Sequence, residues 1–197
     1  MKTKRPLTFK EYLNLSDDGT DNRCELVDGE LIELPPESGP NDAIANYLFL
    51  MLISAGIPFQ LVRPHTCELQ VPVLKSGDPC NRYPDLVVLR EEHLLLTQNR
   101  LTITLDMPPP RLVVEVVSPG TGNRERDFKR KRDQYCKRLI SEYWIIDPEH
   151  EVVIVLQLES DRYLEVGTFR GSAQIRSTFS SLILTANQLL RAGRTTN

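Results

Sequence analysis

Branched apolar residues fill the stretch LVVEVVS at 112–118, and one glutamate, Glu115, stands in its middle. Side chains of an extended strand alternate between the two faces of a sheet, so both faces of this stretch are apolar. The pattern predicts a central strand over 111–118 with Glu115 buried. YPDLVVLR has the same character, with Asp85 opening the apolar run of a predicted strand over 83–90. Each of these two strands therefore carries one carboxylate among apolar side chains.

The remaining hydrophobic patterns predict more strands than helices. Asp28-Gly29 indicates a hairpin within 24–34. Further strands are predicted at 58–63, at 66–74, as a pair in EYWIIDPEHEVVIVLQL joined at Asp147-Pro148, and near RYLEVGTF. Helices are predicted from Thr8 to about Ser16, over about fifteen residues ending at Gly56, from 124 to 139, and around LTANQLL, with a loop in DDGTDN. The mixture predicts an α/β (α+β) fold, with a mixed central sheet flanked by helices, in one domain over 1–197.

Basic residues are concentrated in the predicted helix, where the segment 124–138 holds eight lysines and arginines against three acidic residues. At about 100° per residue, Lys131 falls in the arc that faces the core, between Asp127 and Tyr135. A core-facing ammonium needs a carboxylate partner, and Glu115 lies on the strand just before this helix. The opposite, water-facing side carries other basic residues: Arg126, Lys129 and Lys137.

The overall composition is that of a soluble protein, with 40% hydrophobic residues, 26% charged residues and a mean hydropathy of −0.30. No segment is typical of a membrane span or of a secretory signal, so a cytoplasmic location without membrane contact is expected. The net charge is −3 and the pI about 5.7, so any nucleic-acid surface must be local. The scattered cysteines form no metal-binding pattern and are expected to be reduced packing residues.

A buried, ionised carboxylate costs several kcal/mol unless it is paired, protonated or bound to a cation. Asp85 and Glu115 on neighbouring strands would repel each other unless a divalent cation lay between them. Carboxylate oxygens suit Mg²⁺ or Mn²⁺. A purely structural ion pair of Lys131 with Glu115 is the simpler alternative, and a turn role for Asp85 at the start of its strand is another.

The segments CELVDGEL, YPDLVV, LVVEVVSPGT, RDFKRKRDQY and EYWIIDP, in this order and spacing, resemble the Uma-two family of restriction-endonuclease-like proteins, which is abundant in cyanobacteria. More broadly, two carboxylates and a lysine resemble the PD-(D/E)-x-K nuclease superfamily. The resemblance extends over about residues 8 to 190 and implies a restriction-endonuclease-like core. It also implies a metal-dependent endonuclease that hydrolyses phosphodiester bonds in DNA.

The resemblance assigns roles to particular residues. Asp85 and Glu115 would be catalytic metal ligands for Mg²⁺ or Mn²⁺, with the Val116 carbonyl as a further ligand. The superfamily lysine should stand two residues after Glu115, where this chain has Val117; Lys131 on the following helix matches the catalytic lysine of the family instead. Further acidic positions are candidates to bind the metal or to orient a ligand: Glu25, and more weakly Glu37.

Many relatives carry a histidine at the start of the long helix, where this chain has Asn41 and Asp42, a departure that puts its activity in question. Arg126, Lys129 and Arg130 would contact nucleic-acid phosphates without reading bases. The alternative is a catalytically inactive nuclease-like module that binds nucleic acid or a protein partner. The resemblance also allows for a homodimer, through apolar strand residues near 150–158.

Overall fold

A computed structural model describes the following parts of the protein: residues 5–15, 23–179 and 181–194. Helix α1 (Phe9–Leu13) begins after Thr8, whose hydroxyl accepts a hydrogen bond from the Glu11 N–H while the Glu11 carboxylate accepts one from the Thr8 N–H. This helix was predicted to continue to about Ser16. The helix ends at Leu13. Ser16 and the loop predicted over 17–22 lie outside the described residues.

The predicted hairpin is confirmed. Strands β1 (Cys24–Val27) and β2 (Glu30–Glu33) pair antiparallel around a two-residue turn. Asp28 and Gly29 both have positive φ angles, 48° and 85°. A two-residue turn needs such angles when its twist matches the right-handed twist of the flanking strands.

Helix α2 (Gly39–Ser54) is the long apolar helix of the sequence, and the Ser38 hydroxyl caps it by accepting from the Asn41 N–H. One face of α2 is buried against the central sheet through Ile44, Ala45, Leu48 and Leu52. Although apolar, α2 is too short to cross a membrane, and no other helix in the described parts of the chain has the length and apolar character to do so.

The later elements follow in chain order. The strands are β3 (Val62–Pro64), β4 (Glu68–Gln70), β5 (Asn81–Arg82), β6 (Leu86–Val88), β7 (Thr102–Ile103), β8 (Leu112–Val116), β9 (Glu142–Asp147), β10 (Val152–Glu159) and β11 (Arg162–Phe169). The helices are α3 (His93–Leu96), α4 (Thr121–Glu125), α5 (Arg132–Lys137) and α6 (Ala186–Leu190).

Six strands form a mixed central sheet in the order β11-β10-β9-β8-β6-β3. Strands β8 and β9 are parallel, and the other neighbours are antiparallel. All five residues of β8 are buried, as the apolar pattern on both of its faces predicted. The mixed sheet with flanking helices confirms the predicted fold class.

Between α2 and β8 the predicted strands are too long. The strands expected at 58–63, 66–74 and 83–90 are instead short, and β4, β5 and β7 form a separate three-stranded sheet. Strand β3 ends at Pro64 because the next residue, His65, has a φ of 54°, which lies outside the range of a strand. The chain therefore turns sharply between β3 and β4.

The helix predicted over 124–139 spans residues 121–137 and is called the basic helix below. It consists of α4, a π-helical turn over Arg126–Lys131, and α5. A π-helical turn widens the helix by one residue, and such turns often occur at functional sites. The rotation per residue within this turn is therefore smaller than the 100° of an α-helix.

The strand residues near 150–158 do not form the exposed apolar surface that was expected to allow for a homodimer. Strand β10 lies between β9 and β11, and most of its apolar side chains are buried. The pairing with β11 removes β10 from the sheet edge, which the sequence pattern of one strand could not show. The homodimer itself stays a prediction.

Candidate active site

Asp85 and Glu115 lie side by side on the central sheet. Leu86 pairs with Val114 in the antiparallel register of β6 and β8, and extending that register by one residue places Asp85 opposite Glu115. Directly opposed residues have Cβ atoms about 4.5–5.5 Å apart and point to the same face. Both side chains are buried. The two carboxylates that the sequence singled out are thus brought together.

Two groups on the basic helix hold Glu115. The Lys131 ammonium donates to its Oε2 atom at 2.7 Å, and the Tyr135 hydroxyl donates to its Oε1 atom at 2.5 Å. The predicted partnership of Lys131 and Glu115 is present in the structure. Both carboxylate oxygens therefore have a hydrogen-bond donor, which fixes the side chain in one orientation.

Asp127 is the second carboxylate partner of Lys131, with Nζ and Oδ1 3.0 Å apart. The Arg126 Nε atom lies 3.1 Å from the same Oδ1 atom, and the Tyr143 hydroxyl donates to the Asp127 carbonyl at 2.9 Å. The π-helical turn contains all three of Arg126, Asp127 and Lys131. The Arg126 side chain is 37% exposed, so it contacts Asp127 and also reaches water, in agreement with the water-facing side that the projection gave it.

The ionisation of Lys131 follows from its two acidic neighbours. Burial alone would lower the pKa of the Lys131 amine, but Glu115 and Asp127 raise it above its ordinary value. Burial alone would raise the pKa of Asp127, but Lys131 and Arg126 lower it below its ordinary value. Lys131 is therefore a buried ammonium ion at neutral pH, and Asp127 is its ionised partner.

Unlike Glu115 and Asp127, Asp85 forms no ion pair with a lysine or arginine among the described residues. Its Oδ2 atom accepts from the Val116 N–H at 2.6 Å, but burial and the adjacent Glu115 raise the pKa of Asp85 well above its ordinary value. Burial also raises the pKa of Glu115, and the Lys131 ammonium offsets only part of that rise. Extra positive charge beside Asp85 would favour its ionised form, so this position fits a divalent cation.

His65 and Glu37 approach Asp85 from the other side. One ligand atom from each of Glu37, His65 and Asp85 can be chosen so that all lie within 4.8 Å of one another. His65 Nδ1 is 3.6 Å from Asp85 Oδ1, and neither ring nitrogen has a hydrogen-bond partner among the described residues. Burial lowers the pKa of His65, which favours the neutral imidazole.

Asn41 joins this group from the start of α2. Its side-chain amide nitrogen donates to the Val116 carbonyl at 3.2 Å and to Glu37 Oε1 at 3.3 Å. The Val116 carbonyl, predicted as a further metal ligand, thus already accepts one hydrogen bond and retains one lone pair.

Asp85, Glu115, Lys131 and Glu37 line one cleft with a volume of about 280 Å³, whereas His65 and Asn41 do not line it. The first three are buried except at the cleft and form its floor, and the other lining residues are Arg23, Glu25, Tyr83, Val116, Ser118, Asn123, Arg126 and the rest of the segment 34–38. Arg23 and Arg126 bring positive charge to a cleft whose floor is acidic. Such a pairing of acidic floor and basic wall suits a phosphate ester bound next to a metal ion.

Glu25 lines the cleft but has a cationic partner of its own. Both of its carboxylate oxygens lie 3.2 Å from Arg82 Nη1. Gln134 on the basic helix in turn accepts from Arg82 Nε at 3.0 Å. Glu25 is therefore oriented by Arg82, and its predicted role as a metal ligand stays a prediction.

The three predicted nucleic-acid contacts occupy different environments. Lys129 is exposed, with the Glu125 carboxylate 3.5 Å away. Arg130 donates to the Gly77 carbonyl at 2.6 Å and to Asp78 Oδ1 at 2.8 Å, so it ties the basic helix to a loop. Of the three, Arg126 alone lines the cleft.

Known proteins share both the fold and the sequence pattern of this chain. The chain shares the fold of a crystal structure described as "a putative nuclease belonging to DUF820 from Anabaena variabilis ATCC 29413", with a TM-score of 0.67 and 21% sequence identity over 96% of this chain and 100% of that chain. The sequence model of the Uma2 family, described as "Putative restriction endonuclease", matches residues 9–187. The chain belongs to the Uma2 family, which confirms the resemblance found in the sequence. A comparison with curated proteins gave no match.

Proposed function

We propose that this protein is a metal-dependent nuclease that hydrolyses phosphodiester bonds in DNA. The observation that carries the proposal is the meeting of Asp85, Glu115 and Lys131 in one cleft, two carboxylates on adjacent strands and a charged amine on the next helix. Membership of the Uma2 family, which is described as "Putative restriction endonuclease", supports the same reaction class.

Asp85 and Glu115 would hold a Mg²⁺ or Mn²⁺ ion. Such an ion, when bound, stabilises negative charge on the phosphoryl oxygens and orients the attacking water. Asp85 is suited to this role because its Oδ1 atom accepts no hydrogen bond from the described residues, while its Oδ2 atom is fixed by the Val116 N–H. Glu115 keeps lone pairs free, since each of its oxygens accepts one hydrogen bond from the described residues.

Lys131 would supply a fixed positive charge near the phosphate. Glu115 and Asp127 hold its ammonium in place, so no reorganisation is needed when negative charge develops on the substrate. The position two residues after Glu115, where the superfamily carries its lysine, is Val117, which is buried. In this chain the amine reaches Glu115 from the basic helix and not from the strand that carries Glu115.

Plasmid cleavage tests the proposal directly. We expect the wild-type protein to nick supercoiled DNA with Mn²⁺ or Mg²⁺ and to leave it intact with EDTA. Glu115→Gln should slow cleavage by roughly 10²–10³-fold, because it removes one ligand charge worth several kcal/mol in the transition state. Glu125→Gln is the matched control, since that glutamate is exposed on the same helix.

Equal cleavage by the wild type and Glu115→Gln would refute the catalytic role of the cleft. DNA binding without cleavage by any metal-loaded preparation would favour the alternative of a catalytically inactive nuclease-like module.

We also propose that the basic helix contacts the DNA backbone through Arg126, Lys129 and Arg130. Lys129→Ala should lower DNA affinity equally for unrelated sequences, and the slope of log affinity against log salt should fall by about 1. Fluorescence anisotropy at several salt concentrations measures both quantities. Lys137→Ala, about 12 Å further along the helix, serves as the control. An unchanged slope for Lys129→Ala would remove this residue from the DNA surface.

A further inference from the structure

The group formed by Glu37, His65 and Asp85 differs in chemistry from the pair Asp85 and Glu115. It combines two carboxylates with an imidazole, and its three ligand atoms lie within 4.8 Å of one another. Ligands of a tetrahedral metal ion with bonds of about 2.0–2.2 Å lie about 3.4 Å apart, so modest side-chain movements would close the group around an ion.

The imidazole of His65 is the independent observation that points to a ligand. Both of its ring nitrogens are inaccessible to solvent, and neither has a hydrogen-bond partner among the described residues. Buried polar atoms without partners are uncommon, and each calls for an explanation such as an ion or a water. Nδ1 faces Asp85 at 3.6 Å, whereas Nε2 faces Asp42 at 3.4 Å.

The backbone of His65 is fixed beside Asp85. Its φ is 54°, and its N–H donates to the Asp85 carbonyl at 3.0 Å. The hydrogen bond joins the turn of His65 directly to the residue whose side chain the imidazole faces.

We propose that Glu37, His65 and Asp85 form a second cation site, next to the one held by Asp85 and Glu115 and sharing Asp85 with it. His65 ligates through Nδ1. Asp42 is positioned to accept the hydrogen bond from Nε2–H, the arrangement in which a carboxylate orients a metal-bound histidine. Asn41, which donates to Glu37 at 3.3 Å, holds the remaining ligand in place.

The ligand set selects the class of metal. Imidazole suits first-row transition ions, whereas Mg²⁺ and Ca²⁺ prefer oxygen ligands. The second site should therefore take Mn²⁺, Fe²⁺, Co²⁺ or Zn²⁺ in preference to Mg²⁺. Mn²⁺ accepts both imidazole and carboxylate ligands. It is the suitable probe because it binds the cysteine thiols of the chain only weakly.

Mn²⁺ binding to the full chain tests this site. We expect calorimetry to show Mn²⁺ affinity at least tenfold weaker in His65→Gly than in the wild type, because the variant removes the imidazole while glycine accepts the positive φ. Pulsed electron paramagnetic resonance of the bound Mn²⁺ should show coupling to an imidazole ¹⁴N nucleus that His65→Gly abolishes. His150→Ala, which removes another of the three histidines, should leave both signals unchanged.

The site would be overturned by bound Mn²⁺ without nitrogen coupling, or by coupling and affinity that His65→Gly leaves as in the wild type. Failure of Mn²⁺ to bind would overturn it equally. None of these measurements requires DNA cleavage. If the protein never cleaves DNA but shows the His65-dependent signal, the second cation site stands and the proposed nuclease function fails. If the protein cleaves DNA without that signal, the nuclease function stands and the second cation site fails.

Discussion

Asp85→Asn is expected to abolish most DNA cleavage and at the same time to make the protein more stable at neutral pH. Cleavage should fall roughly 10³-fold, because the residue shared by both proposed cation positions loses its charge. In the absence of metal, the free energy of unfolding should rise by about 0.5–2 kcal/mol, as is common when a strained functional group is relieved. The asparagine oxygen can still accept from the Val116 N–H.

The gain in stability has a defined pH dependence. The pKa of Asp85 is raised in the folded protein, so the folded state of the wild type is favoured by protonation of Asp85 at low pH. That contribution is present below the ordinary aspartate pKa and is lost as the pH rises through the raised pKa. The advantage of Asp85→Asn should therefore be absent at low pH and appear as the pH rises through that range.

Urea denaturation in EDTA at several pH values measures this effect, with Asp133→Asn, an exposed aspartate of α5, as the control. Lower stability of Asp85→Asn at pH 7 would show that Asp85 is a structural carboxylate. That result, together with unchanged metal binding, would remove it from the proposed site.

Lys131→Met should have the largest effect on folding. Glu115 and Asp127 would each lose their shared ammonium partner inside the protein, and breaking a buried ion pair in this way typically costs about 3–5 kcal/mol. Arg126 would still compensate part of the charge on Asp127. Lys129→Met on the exposed face of the same helix should change the free energy of unfolding by no more than about 0.5 kcal/mol.

The cost of Lys131→Met should shrink as the pH falls. The lowered pKa of Asp127 stabilises the folded wild type above the ordinary aspartate pKa, and this contribution is lost as the pH falls through the lowered value. Protonation of Glu115 and Asp127 in the variant removes the uncompensated charge as well. If the difference in the free energy of unfolding between wild type and Lys131→Met stays constant from pH 7 to pH 3, the variant has lost packing contacts only.

The sequence was sufficient where a local pattern determines the outcome. Apolar residues on both faces identified β8 and the burial of Glu115, and Asp28-Gly29 identified the hairpin. The helical projection placed Lys131 toward Glu115 correctly. In each case the deciding interaction joins residues that are close along the chain or follow a simple period.

The sequence was insufficient where distant segments meet. His65 gave no signal, because a histidine after a proline at the end of a short strand has many ordinary explanations, and its approach to Asp85 depends on the pairing of β3 with β6. The ion pair of Arg126 with Asp127 was missed, because a helical projection does not show how far a long side chain can reach around the helix. The π-helical turn was missed as well. No residue in Arg126–Lys131 marks that turn in the sequence.

The widened turn also constrains how this helix can change. Asp127, Lys131 and Tyr135 follow one another at intervals of four residues, and the widened turn lies between the first two, so both donors to Glu115 come from its end or from beyond it. Loss of a single residue there would let the helix return to regular α-helical winding, with the residues beyond the turn kept near their present orientation. A residue removed between Asp127 and Lys131 would change the four-residue spacing at which these two side chains pair, so the length of this segment is as much a part of the site as its side chains.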